Sequence, residues 1–379
     1  LDGTSGDVTL GTNYLFQTSN NVNGPAIKNL AGNNTIVGKI NLTGGGGDTA
    51  IESAGGLLTI AGRITTDYAS VRNLRLRGNG TGEITGVIDN GTTVVGLFGE
   101  NGSGTWTLSA SNSFTSASGV SGITLVVGGT NGYVAAPFTV SGNGRLVLAN
   151  NAASNNVNRF ADASALTLGG GTFAFSHPGG TADYSERIGA VSVTASTNTF
   201  ATSLADIGRT SVVTIASLSY TGSSTLDFSG EGLGESDRNR VFINSQPNGP
   251  IGAWATVNGT NLAAYSSTLG VYAFGTSGSD TVTNLAAQGN VPNAVVPDNA
   301  SALAQITEPG DFGPITLQGD VTNRLFMLTQ NYPTNAVVDT TNGSTNKTLL
   351  TSALAIAAGQ SSLTLGVAPG NGTVAPLNA

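Results

Sequence analysis

The chain has 379 residues, of which only 9% are charged, and it carries 55 Gly and no Cys. Ordinary domains have roughly a quarter of their residues charged, so this surface must be built from hydroxyls and amides, and the lack of Cys rules out a disulfide framework and a thiolate metal site. A net charge of −8, from 14 Lys and Arg against 22 Asp and Glu, repels phosphate backbones and argues against nucleic acid as a partner, while 39% apolar residues suffice for a core and argue against a disordered chain.

Taken in chain order, short apolar alternations recur between Gly, Asn and Ser punctuation, which is the signature of strands. They are LLTI (Leu57 to Ile60), LRLR (Leu74 to Arg77), TWTL (Thr105 to Leu108), ITLVV (Ile123 to Val127), RLVL (Arg145 to Leu148), ALTL (Ala165 to Leu168), VSV (Val191 to Val193), VVTI (Val212 to Ile215) and STLDF (Ser224 to Phe228). Most neighbours lie about 17 to 26 residues apart, the length of one solenoid coil and longer than sandwich strand spacing. The expected fold is therefore all-β: a right-handed parallel β-solenoid, or β-helix-like stack, with a less regular β-rich C-terminal third. Coils should stack from about Asn29 to Phe228.

A solenoid turns a corner every few residues, and Asn-Gly pairs at Asn79-Gly80, Asn90-Gly91, Asn101-Gly102, Asn131-Gly132, Asn143-Gly144 and Asn258-Gly259 suit such corners. Several are followed by Ser or Thr and match the glycosylation pattern, but turn chemistry explains them without sugar. No convincing helix is visible; SALAQIT (Ser301 to Thr307) and TSALAIAAG (Thr351 to Gly359) suit a helical turn or a strand equally. Texture divides the chain into a repeat region at 1–233, an irregular β module with an aromatic-rich segment at 234–291, and a further β-rich, repeat-like region at 292–379, the last boundary marked by the prolines of PNAVVP. No apolar run approaches the roughly 18 residues of a membrane helix, and no basic, then apolar leader opens the chain. We read the start at Leu1 as that of a processed or partial segment.

The stretch GSGTWTLSASNSFTSASGVSGITLVVGG (Gly102 to Gly129) resembles the autotransporter-associated β-strand repeat of bacterial surface proteins. The match runs through Gly104, Thr105, Trp106, Thr107, Leu108, Ser109, Asn112, Phe114 and Thr115, while Ala110 and Ser116 stand where that family usually has Gly. PIGAWATVNGTNLAAYSSTLGVYAF is similar to a segment found downstream of such repeats. The resemblance covers about a sixth of the chain and implies a secreted or surface-displayed bacterial passenger with a β-solenoid fold. It implies no enzyme.

Few residues offer chemistry. A nucleophile-base pair needs a His or another base, and the only His, His177 in FSHPGG, reads as an exposed turn residue. Asp227, Glu231, Glu235 and Asp237 beside Arg238 and Arg240 form the one acidic group with basic neighbours, as a β-helix glycosidase, lyase or calcium site would use, yet their Gly-rich setting reads as a solvated loop. GGGGDTA (Gly44 to Ala50) occurs once, whereas calcium-binding nonapeptides act by repetition. Arg75 and Arg77 form a basic outer stripe opposite Leu74 and Leu76. Trp106 and Trp254 are candidate sugar platforms, and Trp106, alternating with Thr105 and Thr107, reads as core.

No catalytic, cofactor or metal residue is therefore assigned. The expected function is that of an extracellular structural protein at the bacterial cell surface, in a self-associating fibre, a sheath or a displayed passenger. Its expected partner is itself, as a homopolymer or as further repeats of one chain, with surface polysaccharide as a second candidate and no membrane insertion by this segment. Two alternatives stand beside it: a carbohydrate-active β-helix enzyme, and a glycan- or matrix-binding adhesin using the aromatic-rich Val241 to Phe274 as an exposed loop. Neither chain end carries the polar cap that soluble solenoids need, which favours self-association.

Overall fold

The structure is a computed structural model that describes residues 1–274, except for 20–23, 47, 152, 178–181, 223, 253 and 260, and beyond them short strands only. Among the described residues every regular element is a strand. Contacts group the chain into two units, one of Leu1–Thr225 with Gly230–Gly232 and Ser236–Ser245, the other of Leu226–Ser229, Leu233–Glu235 and Gln246–Ala379.

The first unit is a parallel β-solenoid of about nine coils. One strand from each coil enters sheet A, made of Thr9–Leu10, Asn33–Ile36, Leu57–Ile60, Thr81–Ile84, Thr105–Leu108, Thr124–Val127, Arg145–Ala149, Thr172–Ser176 and Thr197–Thr202, paired in that order. Another enters sheet B, made of Ile27–Asn29, Asp48–Ser53, Arg72–Arg77, Val95–Gly99, Ser118–Ser121, Phe138–Ser141, Leu166–Gly169, Tyr184–Ala195, Ser211–Tyr220 and Arg240–Ile243. A short sheet C joins Leu15–Thr18, Lys39–Leu42 and Ile64–Thr65, and isolated parallel bridges Ile64 to Ile88, Ser111 to Tyr133 and Val134 to Phe160 recur further along the chain. The sequence repeat is thus a mixture. LLTI, TWTL, ITLVV and RLVL lie on sheet A, whereas LRLR, ALTL, VSV and VVTI lie on sheet B.

Alternation decides what is buried. On sheet A, Ile36, Ile60, Ile84, Leu108, Val127, Leu148 and Phe175 are laddered partners, each at most 1% exposed. A second interior row runs Leu58, Gly82, Trp106, Leu125, Leu146, Phe173 and Phe200. Gly82 belongs there because Trp106 does: a Cβ on Gly82 would stand 2.2 Å from the indole. The indole Nε1 donates to the Arg77 carbonyl oxygen at 3.1 Å, satisfying the one polar atom the ring buries. Trp106 is core, as its alternation indicates.

The corners use Asn and Gly for two reasons. Asn101 and Asn143 take left-handed φ values of 54° and 61°, which Asn tolerates. Gly38, Gly62 and Gly86 instead stack one per coil where backbones nearly touch; a Cβ on Gly62 would lie 2.0 Å from the Gly38 carbonyl oxygen, and one on Gly86 2.1 Å from that of Gly62. Buried Asn112 accepts from the Ile88 amide and donates to the Ala110 and Tyr133 carbonyls, so one side chain ties three coils together inside the turn.

In the second unit, Leu226–Phe228 pairs in parallel with Ala255–Val257, and the pattern then turns antiparallel through Asn261–Ser266 and Gly270–Ala273. Tyr265, Tyr272 and Phe274 are 6%, 6% and 2% exposed. The aromatic-rich segment is therefore a packed meander, and the exposed aromatic loop that an adhesin reading requires is not formed by these three rings. Further on, Val295–Val296, Ile315–Leu317 and Val338–Asp339 pair in parallel, as do Ala304–Ile306, Leu325–Leu328, Lys347–Thr351 and Gly372–Ala375. Within SALAQIT, Ala304–Ile306 is thus a strand. Most of TSALAIAAG, and the prolines Pro292 and Pro297, lie outside the described residues.

Candidate functional site

The strand Thr172–Ser176 places Phe173 and Phe175 inward, and His177 continues that phase. His177 is therefore 1% exposed, packed against Phe175 and Tyr184 at ring distances of 5.6 and 5.0 Å, with Nε2 2.6 Å from Ser211 Oγ. This corrects the expected exposed turn: strand alternation outlasts the Pro-Gly signal by one residue. Burial holds the imidazole below its ordinary pKa, so at neutral pH it is uncharged. A hydroxyl beside an imidazole is part of a hydrolytic constellation. Here Ser211 is also 1% exposed, and neither described cavity is lined by either residue, so substrate has no described route to them.

The described bonds of the acidic group and its basic neighbours stay within each unit. Asp227 Oδ1 accepts from Thr256 Oγ1 at 2.9 Å and from the Gly259 amide at 2.6 Å, fixing the hairpin turn of its own unit. Asn239 Nδ2 donates to the Glu231 carbonyl, Arg238 Nε to that of Ala205 and Arg240 Nε to that of Ser236. These side chains organise backbone. Among the described residues no three His, Asp or Glu are placed to hold a metal ion. In GGGGDTA, Asp48 Oδ2 pairs with Arg75 at 2.7 Å, and the Gly46 carbonyl accepts from Arg72. The Arg75 and Arg77 stripe is neutralised in place, since both reach Glu100 on the following coil. Trp254 is half-buried beside Gly252.

A buried polar cluster lies elsewhere, around Arg159 and Glu186. Arg159 is 0% exposed, and its guanidinium donates to Asn150 Oδ1 at 2.7 Å and to the carbonyls of Gly129, Gly132 and Ser154 at 2.8, 3.2 and 3.3 Å. Glu186, 1% exposed on the next coil, accepts the amides of Arg159 and Phe160 at 2.9 and 3.3 Å. Burial pushes the carboxyl up to about 8 against the opposing pull of those amides and of Arg159, and lowers the guanidinium to about 10. Tyr184 donates its hydroxyl to the Asn151 carbonyl at 3.0 Å, closing the cluster.

This cluster sits under an insertion. Twelve positions separate Leu148 from Phe160, where seven separate their ladder partners Val127 and Val134. The extra residues fall within the Asn-rich stretch ANNAASNNVN. Outside it lies a cleft of about 330 Å³ lined by Ser111, Asn131, Tyr133, Asn156 and Asn158. A second hollow, of about 180 Å³, is lined by Asp162, Arg187, Ile188, Thr214, Ala216 and Asn244. Arg159 was not legible as a site residue, but Glu186 left a signal, because YSERI alternates and puts Glu186 on the face of Tyr184 and Ile188. Comparison of the chain with protein-family models, with curated proteins and with solved structures finds no match.

Proposed function

We propose that this chain is a non-enzymatic scaffold, a β-solenoid segment of an extracellular protein at a bacterial cell surface that associates with copies of itself or with further repeats. The observation that carries the reading is the laddered interior: Ile, Leu, Val and Phe rows run coil after coil, and buried Asn112, Arg159 and Glu186 spend their side chains on backbone amides and carbonyls. Such a column has stiffness and length as its output. Its outward rows are rich in Thr, including Thr81, Thr105, Thr124 and Thr172, with little charge to oppose packing against a like surface. The likeness of Gly102 to Gly129 to an autotransporter-associated repeat supports surface display.

Sedimentation of the folded chain, with negative-stain imaging of the same material, tests the reading. Oligomers or filaments are expected at micromolar concentration in moderate salt. A stable monomer with no larger species under those conditions contradicts self-association.

A further inference from the structure

The cleft outside the Asn-rich loop is held in shape from below. Its wall is drawn from three successive coils: Ser111, then Asn131 and Tyr133, then Asn156 and Asn158. The two loops bearing its amides are tied together from beneath by Arg159, which binds Gly129 and Gly132 on one and Asn150 and Ser154 on the other. Asn156 adds a second tie, accepting the Asn158 amide at 2.9 Å and donating to the Gly132 carbonyl at 3.2 Å. Burying an arginine is costly unless each donor is satisfied. That cost is met here at the root of a surface loop, where a plain corner would have closed the coil.

We propose that this cleft binds one or two units of a neutral saccharide chain. Apart from the phenol of Tyr133, the five lining side chains carry no ionisable group, so neither an anion nor a cation finds a counter-charge. Within the described residues the side-chain amides of Asn131 and Asn158 and the hydroxyls of Ser111 and Tyr133 make no hydrogen bond to the chain. Each amide offers a donor and an acceptor side by side, which matches the vicinal hydroxyls of a sugar. Tyr133 adds an aromatic surface with a polar tip. A volume of about 330 Å³ is at the small end for ligand sites, and the cleft is open, which suits a short stretch of a longer chain bound weakly and repeatedly along an assembly.

Saturation-transfer NMR on the full chain, with hexasaccharides of glucose, xylose, mannose and N-acetylglucosamine as probes and oligogalacturonate as the acidic control, tests the site. At least one neutral probe is expected to receive saturation, with loss of the signal in Tyr133→Ala and binding weakened about tenfold in Asn158→Ala. Asn158 is exposed and its side chain makes no hydrogen bond within the described residues, so this second variant leaves the fold in place. No transfer to any neutral probe at ~10 mM, transfer to the acidic control alone, or neutral binding unchanged in either variant overturns the proposal.

Discussion

Replacing Trp106 by Ala is expected to destabilise the solenoid by about 3–5 kcal/mol, the usual cost of emptying a buried aromatic site. The ring is 0% exposed, and its loss also leaves the Arg77 carbonyl without the indole donor. Gly82→Leu should be equally damaging for the opposite reason, since even a Cβ there meets the indole at 2.2 Å. Together the two residues occupy positions that Leu58 and Leu125 fill on either side. The double variant Gly82→Leu with Trp106→Leu should therefore recover most of the stability that Gly82→Leu or Trp106→Leu alone removes, a coupling that denaturant titration of these two single variants and the double measures. Additive losses would mean that these positions do not share one interior row.

The second large effect is a dependence of stability on pH through Glu186. Its carboxyl is raised from the ordinary 4.5 to about 8, so the folded chain keeps a proton that the unfolded chain releases across that interval. This stability is fully present below about pH 4.5 and is lost as pH rises toward 8, at about 1.4 kcal/mol per pH unit. His177 acts the other way: its lowered pKa gives stability that is present above its ordinary value and is lost as pH falls below it. A difference against Glu186→Gln removes the His177 contribution, because both chains share it. Chemical unfolding at pH 5, 6, 7 and 8 should show wild type losing ground to the variant at each step. A difference that stays flat would place the carboxylate in its ordinary range.

Much of the fold could be read from the sequence because alternation and corner chemistry are local. Leu57 to Ile60, Thr105 to Leu108 and Arg145 to Leu148 declare their strands within four residues, and Asn101-Gly102 and Asn143-Gly144 declare their corners. What could not be read is register. Arg159 and Glu186 are 27 residues apart, and only the ladder brings them together. His177 was misread for a related reason, since its cover comes from Tyr184 and from Ser211 on the following coil, while the local Pro-Gly signal spoke for a turn. The cleft depends on two loops of unequal length meeting, which no single window of sequence contains.

The parallel stack itself is tested most directly by measuring distances along one row of ladder partners. Thr35, Thr59, Glu83, Thr107, Val126, Val147, Ala174 and Ala201 are successive ladder partners on sheet A. Because the chain has no Cys, pairs of spin labels can be placed on introduced cysteines at Thr35 with Thr107, Val126 or Ala201, three, four and seven coils away. At a strand spacing of roughly 4.8 Å, pulsed dipolar spectroscopy should give backbone separations of about 14, 19 and 34 Å, rising in proportion to the number of coils crossed. Separations that level off or fall as the sequence interval grows, as in a barrel or a sandwich, would contradict the solenoid.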